Sequence, residues 1–209
     1  MPDTGPMDHS ITTVAQLEAV IGLPNERAAT KVRSRLSDVH RDWVAHSPFV
    51  VLSTVDSAGR VDVSPKGDPP GFVQILDDTR IAIPERPGNR RVDGYRNMLS
   101  DPHVGTLFLV PGRGDTLRIN GRARIVSDAE YFDAMAVRGR RPVLAVEIDV
   151  DEVFFHCSKA FMRSDLWKHE TWRPEALPSA AEIAHRVSGA DLEELREHYR
   201  DDNYRRLLY

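Results

Sequence analysis

Three times between residues 49 and 126 an apolar, β-branched run meets a turn and then a second run. Residues 49–54 (FVVLST) and 60–64 (RVDVS) flank Asp56-Ser57-Ala58-Gly59. Residues 72–76 and 80–83 flank Asp77-Asp78, and residues 103–110 and 116–126 flank Pro111-Gly112-Arg113-Gly114. Runs this long joined by turns this short must pair antiparallel, because a parallel crossover needs a dozen or more residues. One more strand is predicted over residues 142–155, around the apolar VLAVEIDV. Alternating strand–helix units are absent, as are GxGxxG after a strand and GxxxxGK[ST], so Rossmann and P-loop architectures are disfavoured. The expected fold class is α+β, an antiparallel barrel of about six strands with inserted helices.

Helices are expected at both ends and between the hairpins. Residues 13–21 read as a short helix capped by Thr12 or Thr13 and stopped by Gly22 and Pro24. Residues 25–45 read as one longer helix, with Ala28, Val32, Leu36, Val39 and Trp43 in a single apolar stripe. Further helices are predicted over residues 89–99, 128–137 and 159–167, and over a charged tail, 178–209, with Ile183, Val187, Leu192 and Leu195 as its apolar positions. The expected organisation is a helical extension (1–45), a barrel domain (46–170) and a helical tail (171–209).

Composition narrows the function classes. A net charge of −4 argues against a nucleic-acid binder, though a local basic patch can still hold a small anion. No run of about 18 apolar residues predicts a membrane span, and no secretory signal pattern is visible. Cys157 is the single cysteine, which excludes an intramolecular disulfide and a multi-cysteine metal cluster, and a reducing cytoplasm is the simplest expected compartment. The histidines show no HxxxH or HxH spacing, so no metal is expected.

Four constellations can carry chemistry. Lys66 lies in Ser64-Pro65-Lys66-Gly67-Asp68, where a strand opens into a stiff loop. It can serve an anionic or electron-rich ligand, or be a solvated turn lysine. Residues 83–91 (IPERPGNRR) carry Arg86, Arg90 and Arg91 at an expected helix start. Guanidinium groups beside free N–H groups make a phosphate cradle, and the alternative is an acidic patch on a partner chain. Thr116, Arg118, Asn120, Arg122 and Arg124 share one face of a strand, cationic or simply solvated, and Gly121 marks a bulge or a close approach. Lys159, Arg163 and Trp167 recur at i, i+4 and i+8, a helical face suited to an aromatic anion or to core packing. His156 and Cys157 are adjacent on a strand and point apart, which disfavours a Cys–His nucleophile.

Taken in order, these segments resemble the pyridoxamine 5′-phosphate oxidase-like family of FMN-binding split barrels, and most closely its subgroup of probable FMN-dependent enzymes. The resemblance runs from about Phe49 to Trp167 through FVVLSTVDSAGRVDVSPKGD, IPERPGNRRVDGYRNML, HVGTLFLVPGRGDTLRINGRARI and KAFMRSDLW. It implies a homodimer with two FMN sites at its interface. It places Val63, Ser64 and Lys66 along the flavin edge, Pro84 and Glu85 after the next strand, and Asn89, Arg90 and Arg91 at the phosphate. Thr116 and Arg118 would come from the other subunit, with Thr116 where the family often has Gln. Lys159, Arg163 and Trp167 would close over the flavin. The arginine–histidine signature that grips pyridoxine phosphate is replaced by RSDLW. The resemblance therefore implies an FMN-dependent oxidoreductase acting on another small molecule. The alternatives are a deazaflavin-dependent reductase, whose anionic cofactor tail the arginines could hold, and a flavin-binding protein without turnover.

Overall fold

The local signals for antiparallel pairing are met in full. A computed structural model describes residues 9–209, and β1 (Phe49–Val55), β2 (Val61–Gly67), β3 (Gln74–Asp77), β4 (Arg80–Glu85), β5 (His103–Leu109), β6 (Thr116–Val126) and β7 (Leu144–His156) form one sheet. Their order is β2-β1-β5-β6-β7-β4-β3, with every neighbouring pair antiparallel. That is seven strands against an expected six or so. β2 and β3 are the edges, and among the described residues no ladder joins them. The expected barrel is thus present as an α+β protein on an antiparallel sheet that is not closed by backbone pairing.

Period-two burial explains which face is the core. Val50, Leu52 and Thr54 of β1, Val104, Thr106 and Phe108 of β5, and Leu117, Ile119 and Ala123 of β6 are all buried. β4 is buried on both faces, as its continuous IAIP run demands: Ile81 and Ile83 join the main core, and Ala82 joins Phe132, Met135 and Ala145 in a second cluster. β7 changes phase at a bulge. Asn120 pairs with Glu152 but Gly121 pairs with Val150, which leaves Asp151 extra and turns Val153 inward after Val146, Ile148 and Val150. Gly121 is both things its sequence position allows, because a Cβ there would collide with the Asp149 carbonyl oxygen.

Residues to Val32 form one compact unit and Arg33–Tyr209 another. In the first, Thr13 caps α1 (Val14–Ile21) by accepting from the Gln16 N–H at 3.2 Å, and Gly22 ends it at φ 82°. The continuous helix expected over residues 25–45 does not form. It is α2 (Glu26–Ala29), an extended stretch, and α3 (Asp38–His46). The reason is a competing ladder: Arg33 and Val153 exchange backbone hydrogen bonds of 3.0 and 2.7 Å, and the Leu36 N–H bonds Asp78 O at 2.7 Å. Backbone groups used in that way cannot propagate a helix. Of the expected stripe, Leu36 and Trp43 are buried, whereas Val32 and Val39 are exposed.

The remaining helices are shorter than their patterns predict. α4 (Asp93–Ser100) begins four residues late, residues 128–137 hold only one 3₁₀ turn (Glu130–Phe132), and α5 (Lys159–Ser164) stops at Asp165, φ 52°. The tail is α6 (Ala180–Ser188), α7 (Leu192–His198) and α8 (Asp201–Arg205), broken by Gly189 at φ 73°. Ile183 and Val187 are exposed there rather than buried. No helix among the described residues is long and apolar enough to cross a membrane.

Gly121→Ala should destabilise the protein by roughly 1–3 kcal/mol, the usual cost of forcing extra atoms into a packed site. Urea unfolding checks this. A change below about 0.5 kcal/mol would mean that the β6–β7 bulge relaxes freely.

Candidate functional site

β2 is an edge strand, and its outward side can be read from one bond. The Asp68 N–H bonds Pro48 O at 3.2 Å, so the even-numbered backbone groups face β1 and those of Val63, Pro65 and Gly67 face outward. Pro65, which lacks an N–H, falls on that outward side as edge prolines do. The side chains of Asp62, Ser64 and Lys66 share one half-buried face, and Val61, Val63 and Pro65 take the other.

From that face the Lys66 Nζ donates to Glu85 Oε2 at 2.6 Å and to Tyr95 Oη at 3.2 Å. The Tyr95 hydroxyl also donates to Glu85 Oε2. Three elements meet here: β2, the last residue of β4 and the first turn of α4. Burial, reinforced by the Glu85 carboxylate, pushes the Tyr95 phenol far above its ordinary value of 10.0. The group lines a cavity of about 700 Å³ together with apolar Leu52, Pro65 and Met98, polar Asp62, Ser64, Asn89, Arg91 and Asp93, and Tyr204 and Leu208 from the tail. That volume is within the range of small-molecule sites.

Several sequence-derived roles change here. Lys66 is not a free cation on a rim, because Glu85 neutralises it, and its side chain is 14% exposed. Arg86 is an internal tie: Nε pairs with Asp68 at 2.6 Å and Nη2 donates to Met135 O at 2.7 Å. Arg90 and Arg91 do not sit in a helical first turn. Arg90 is left-handed at φ 61°, the Arg91 N–H bonds Asn89 Oδ1 at 2.9 Å, and α4 starts only at Asp93. The helix dipole is thus met by Asp93, which also pairs with the exposed Arg91. Asn89 and Arg91 line the cavity, and Arg90 lines an adjoining one of about 510 Å³ with Ile125 and Val143. Pro84 is buried in the ladder opposite Ala145.

The other expected residues lie apart from this cavity. Thr116 and Arg118 line one of about 500 Å³ with Ser53, Leu107, His156 and Phe161, and it shares no lining residue with the first. Lys159 and Arg163 are exposed on α5 and line neither. Trp167 follows the left-handed Asp165 and so leaves their helical face. It stacks on Phe161 at 5.8 Å and donates to Arg113 O at 2.6 Å. The sequence reading missed Tyr95, Tyr204 and Leu208. Tyr95 and Met98 stand at i and i+3 on α4, a signal that could have found the first.

A family model described as pyridoxamine 5′-phosphate oxidase matches residues 36–157, which carry β1 to β7 and both cavity-lining strand sets. The chain belongs to this family. A search of the curated proteins found no match. Among solved structures, HupZ of Group A Streptococcus is 19% identical, with 57% of this chain and 93% of that one covered at a TM-score of 0.46. An FMN-binding protein from Syntrophomonas wolfei is 16% identical, covering 56% and 88% at 0.44. An F420 reductase is 17% identical, covering 58% and 98% at 0.40.

The raised Tyr95 phenol makes stability depend on pH in a stated direction. Its contribution is whole below the unfolded value of 10.0 and is lost as pH rises from there toward the folded value. Between about pH 10 and 11 the unfolding free energy of the wild type should fall more steeply than that of Tyr95→Phe, by up to one proton's worth of slope. Parallel urea titrations measure this. Equal slopes would mean that the phenol ionises alike in both states.

Proposed function

We propose that the chain is an FMN-binding flavoprotein of its family, a homodimeric oxidoreductase acting on a small molecule other than pyridoxine phosphate. Its cofactor domain is residues 46–170, and its sheet is the split-barrel type. The observation that carries this reading is the cavity beside β2. It joins an unpaired strand edge, a neutral polar clasp and a cationic turn, in a chain whose family match spans all three.

The donor set fits FMN. A flat heterocycle with alternating donors and acceptors suits the outward backbone of Val63 and Pro65, with Ser64, Lys66 and Tyr95 beside it. Glu85 holds Lys66 and Tyr95 in position. The phosphate would go to Asn89, Arg90 and Arg91. Arg91 is engaged with Asp93, but that pair is 78% and 40% exposed, and such pairs are worth little. A dianionic phosphate is the stronger partner for a guanidinium. Thr116 and Arg118 lie away from the cavity in one chain, as residues supplied across a dimer would, whereas Lys159, Arg163 and Trp167, expected to close over the flavin, do not line it.

When bound, FMN supplies the electron transfer. The protein's own part is to orient and to hold protons. Tyr95 Oη keeps its proton throughout the neutral range, and Glu85 accepts from both donors. The deazaflavin alternative loses Arg86, which Asp68 already occupies.

Reconstitution with FMN tests the proposal: a yellow protein with stoichiometric flavin is expected. The double variant Arg90→Ala/Arg91→Ala should weaken FMN binding at least about tenfold, as loss of charge-assisted contacts does. Unchanged affinity would put the phosphate elsewhere. A protein that refuses FMN and takes a deazaflavin would replace this reading with the alternative.

A further inference from the structure

The C-terminal segment reaches the cavity without belonging to any part of the fold that the family match covers. Tyr204, on α8, and Leu208 line the same cavity as the clasp, and both are nearly half exposed. Just beyond them, the Tyr209 hydroxyl donates to Asp68 Oδ1 at 2.7 Å. Asp68 is 3% exposed and uses its other oxygen on Arg86. The guanidinium carbons of Arg86 and Arg138 lie 5.9 and 5.4 Å from the centre of the Tyr209 ring. Tyr209 is therefore socketed by one carboxylate and two cations.

Two of the socket residues directly follow the strands that make the clasp. Asp68 is two residues beyond Lys66, and Arg86 directly follows Glu85. Meanwhile little else holds the tail. Across residues 159–208, Ala181 alone is buried among the described residues. Releasing Tyr209 strands no charge, because Asp68 keeps Arg86 and water can take the vacated lone pair. A segment tied to the barrel by the Tyr209 hydrogen bond, with a single fully buried residue over 178–208, can open and close reversibly.

We propose that residues 204–209 are the roof of the cavity, with Tyr204 and Leu208 as ligand-contacting residues and Tyr209 as the latch. The tail bounds a hollow instead of filling it, so its role is to cover a bound molecule rather than to displace it. The identity of that molecule rests on the FMN reading above. The latch itself does not.

Two measurements on the chain of residues 1–209 decide the matter. The first is limited trypsin cleavage without ligand, followed by mass spectrometry at Arg205 and Arg206, beside the wall residues. Tyr209→Phe removes only the latch hydrogen bond and should speed cleavage there about three- to tenfold, as cleavage follows the open population. Equal rates would overturn the latch. The second is the release rate of FMN from Tyr204→Ala/Leu208→Ala against wild type. Release several times faster is expected, and equal rates would overturn the contact role. A wild type that binds no FMN would sink the cofactor reading and with it the contact role of Tyr204 and Leu208 toward FMN, and the cleavage comparison then decides the latch on its own.

Discussion

Lys66 and Glu85 touch at 2.6 Å, although their strands are far apart in the sheet. From β2 to β4 the order runs through β1, β5, β6 and β7. Those five steps would span about 24 Å in a flat sheet with strands about 4.8 Å apart. Two side chains cannot bridge that distance, so the sheet must curl until its ends approach. The ion pair, with Tyr95 against it, is the clasp across the remaining gap. No backbone ladder closes the gap among the described residues. A helix, α4, supplies the third member of the clasp and buries Met98 in the core.

This constraint explains why the cavity lies where it does. A sheet that curls without closing leaves an edge strand facing the end of β4, with polar backbone along one wall and core side chains beneath. The clasp is an ion pair with both members partly solvated, at 14% and 26% exposure. That moderates the desolvation cost of a fully buried pair, which often exceeds the Coulomb gain. The β6–β7 pairing, the longest ladder and the middle of the order, transmits the curl, and its bulge depends on Gly121 having no side chain. β-bulges increase local twist, which is what curling requires.

Much of the fold was legible because its signals are local. Asp56-Ser57-Ala58-Gly59 and Pro111-Gly112-Arg113-Gly114 specify their hairpins without help, and Gly121 announced its bulge. What failed did so through distant partners. Nothing near residue 33 states that Val153 will claim its backbone, and the 25–45 stripe looks helical until that ladder is known. The same holds for the site. Lys66 and Glu85 could be singled out along the chain, but their mutual neutralisation appears only once the sheet curls. Arg86 looked equivalent to Arg90 and Arg91 until Asp68 took it inward. Tyr204 and Leu208 carry no pattern that distinguishes them from the rest of an exposed tail.

The neutral clasp also bears on what kind of molecule suits the cavity. Its one half-buried lysine is already paired, so beside the Asp62 and Asp93 carboxylates the interior offers hydrogen bonds and apolar surface but no unspent lysine charge. The cations that can still exchange partners, Arg90 and Arg91, lie in the turn before α4, where Arg91 lines this cavity and Arg90 the adjoining one, and the Arg91 pairing is exposed and weak. A molecule that is charged throughout would be poorly served inside, and one that is apolar throughout would leave the turn unused. The arrangement favours an amphiphilic ligand, with a flat polar-edged ring inward and an anionic group outward. That division of charge is the physical ground for the FMN reading, and it depends on Glu85 as much as on any arginine.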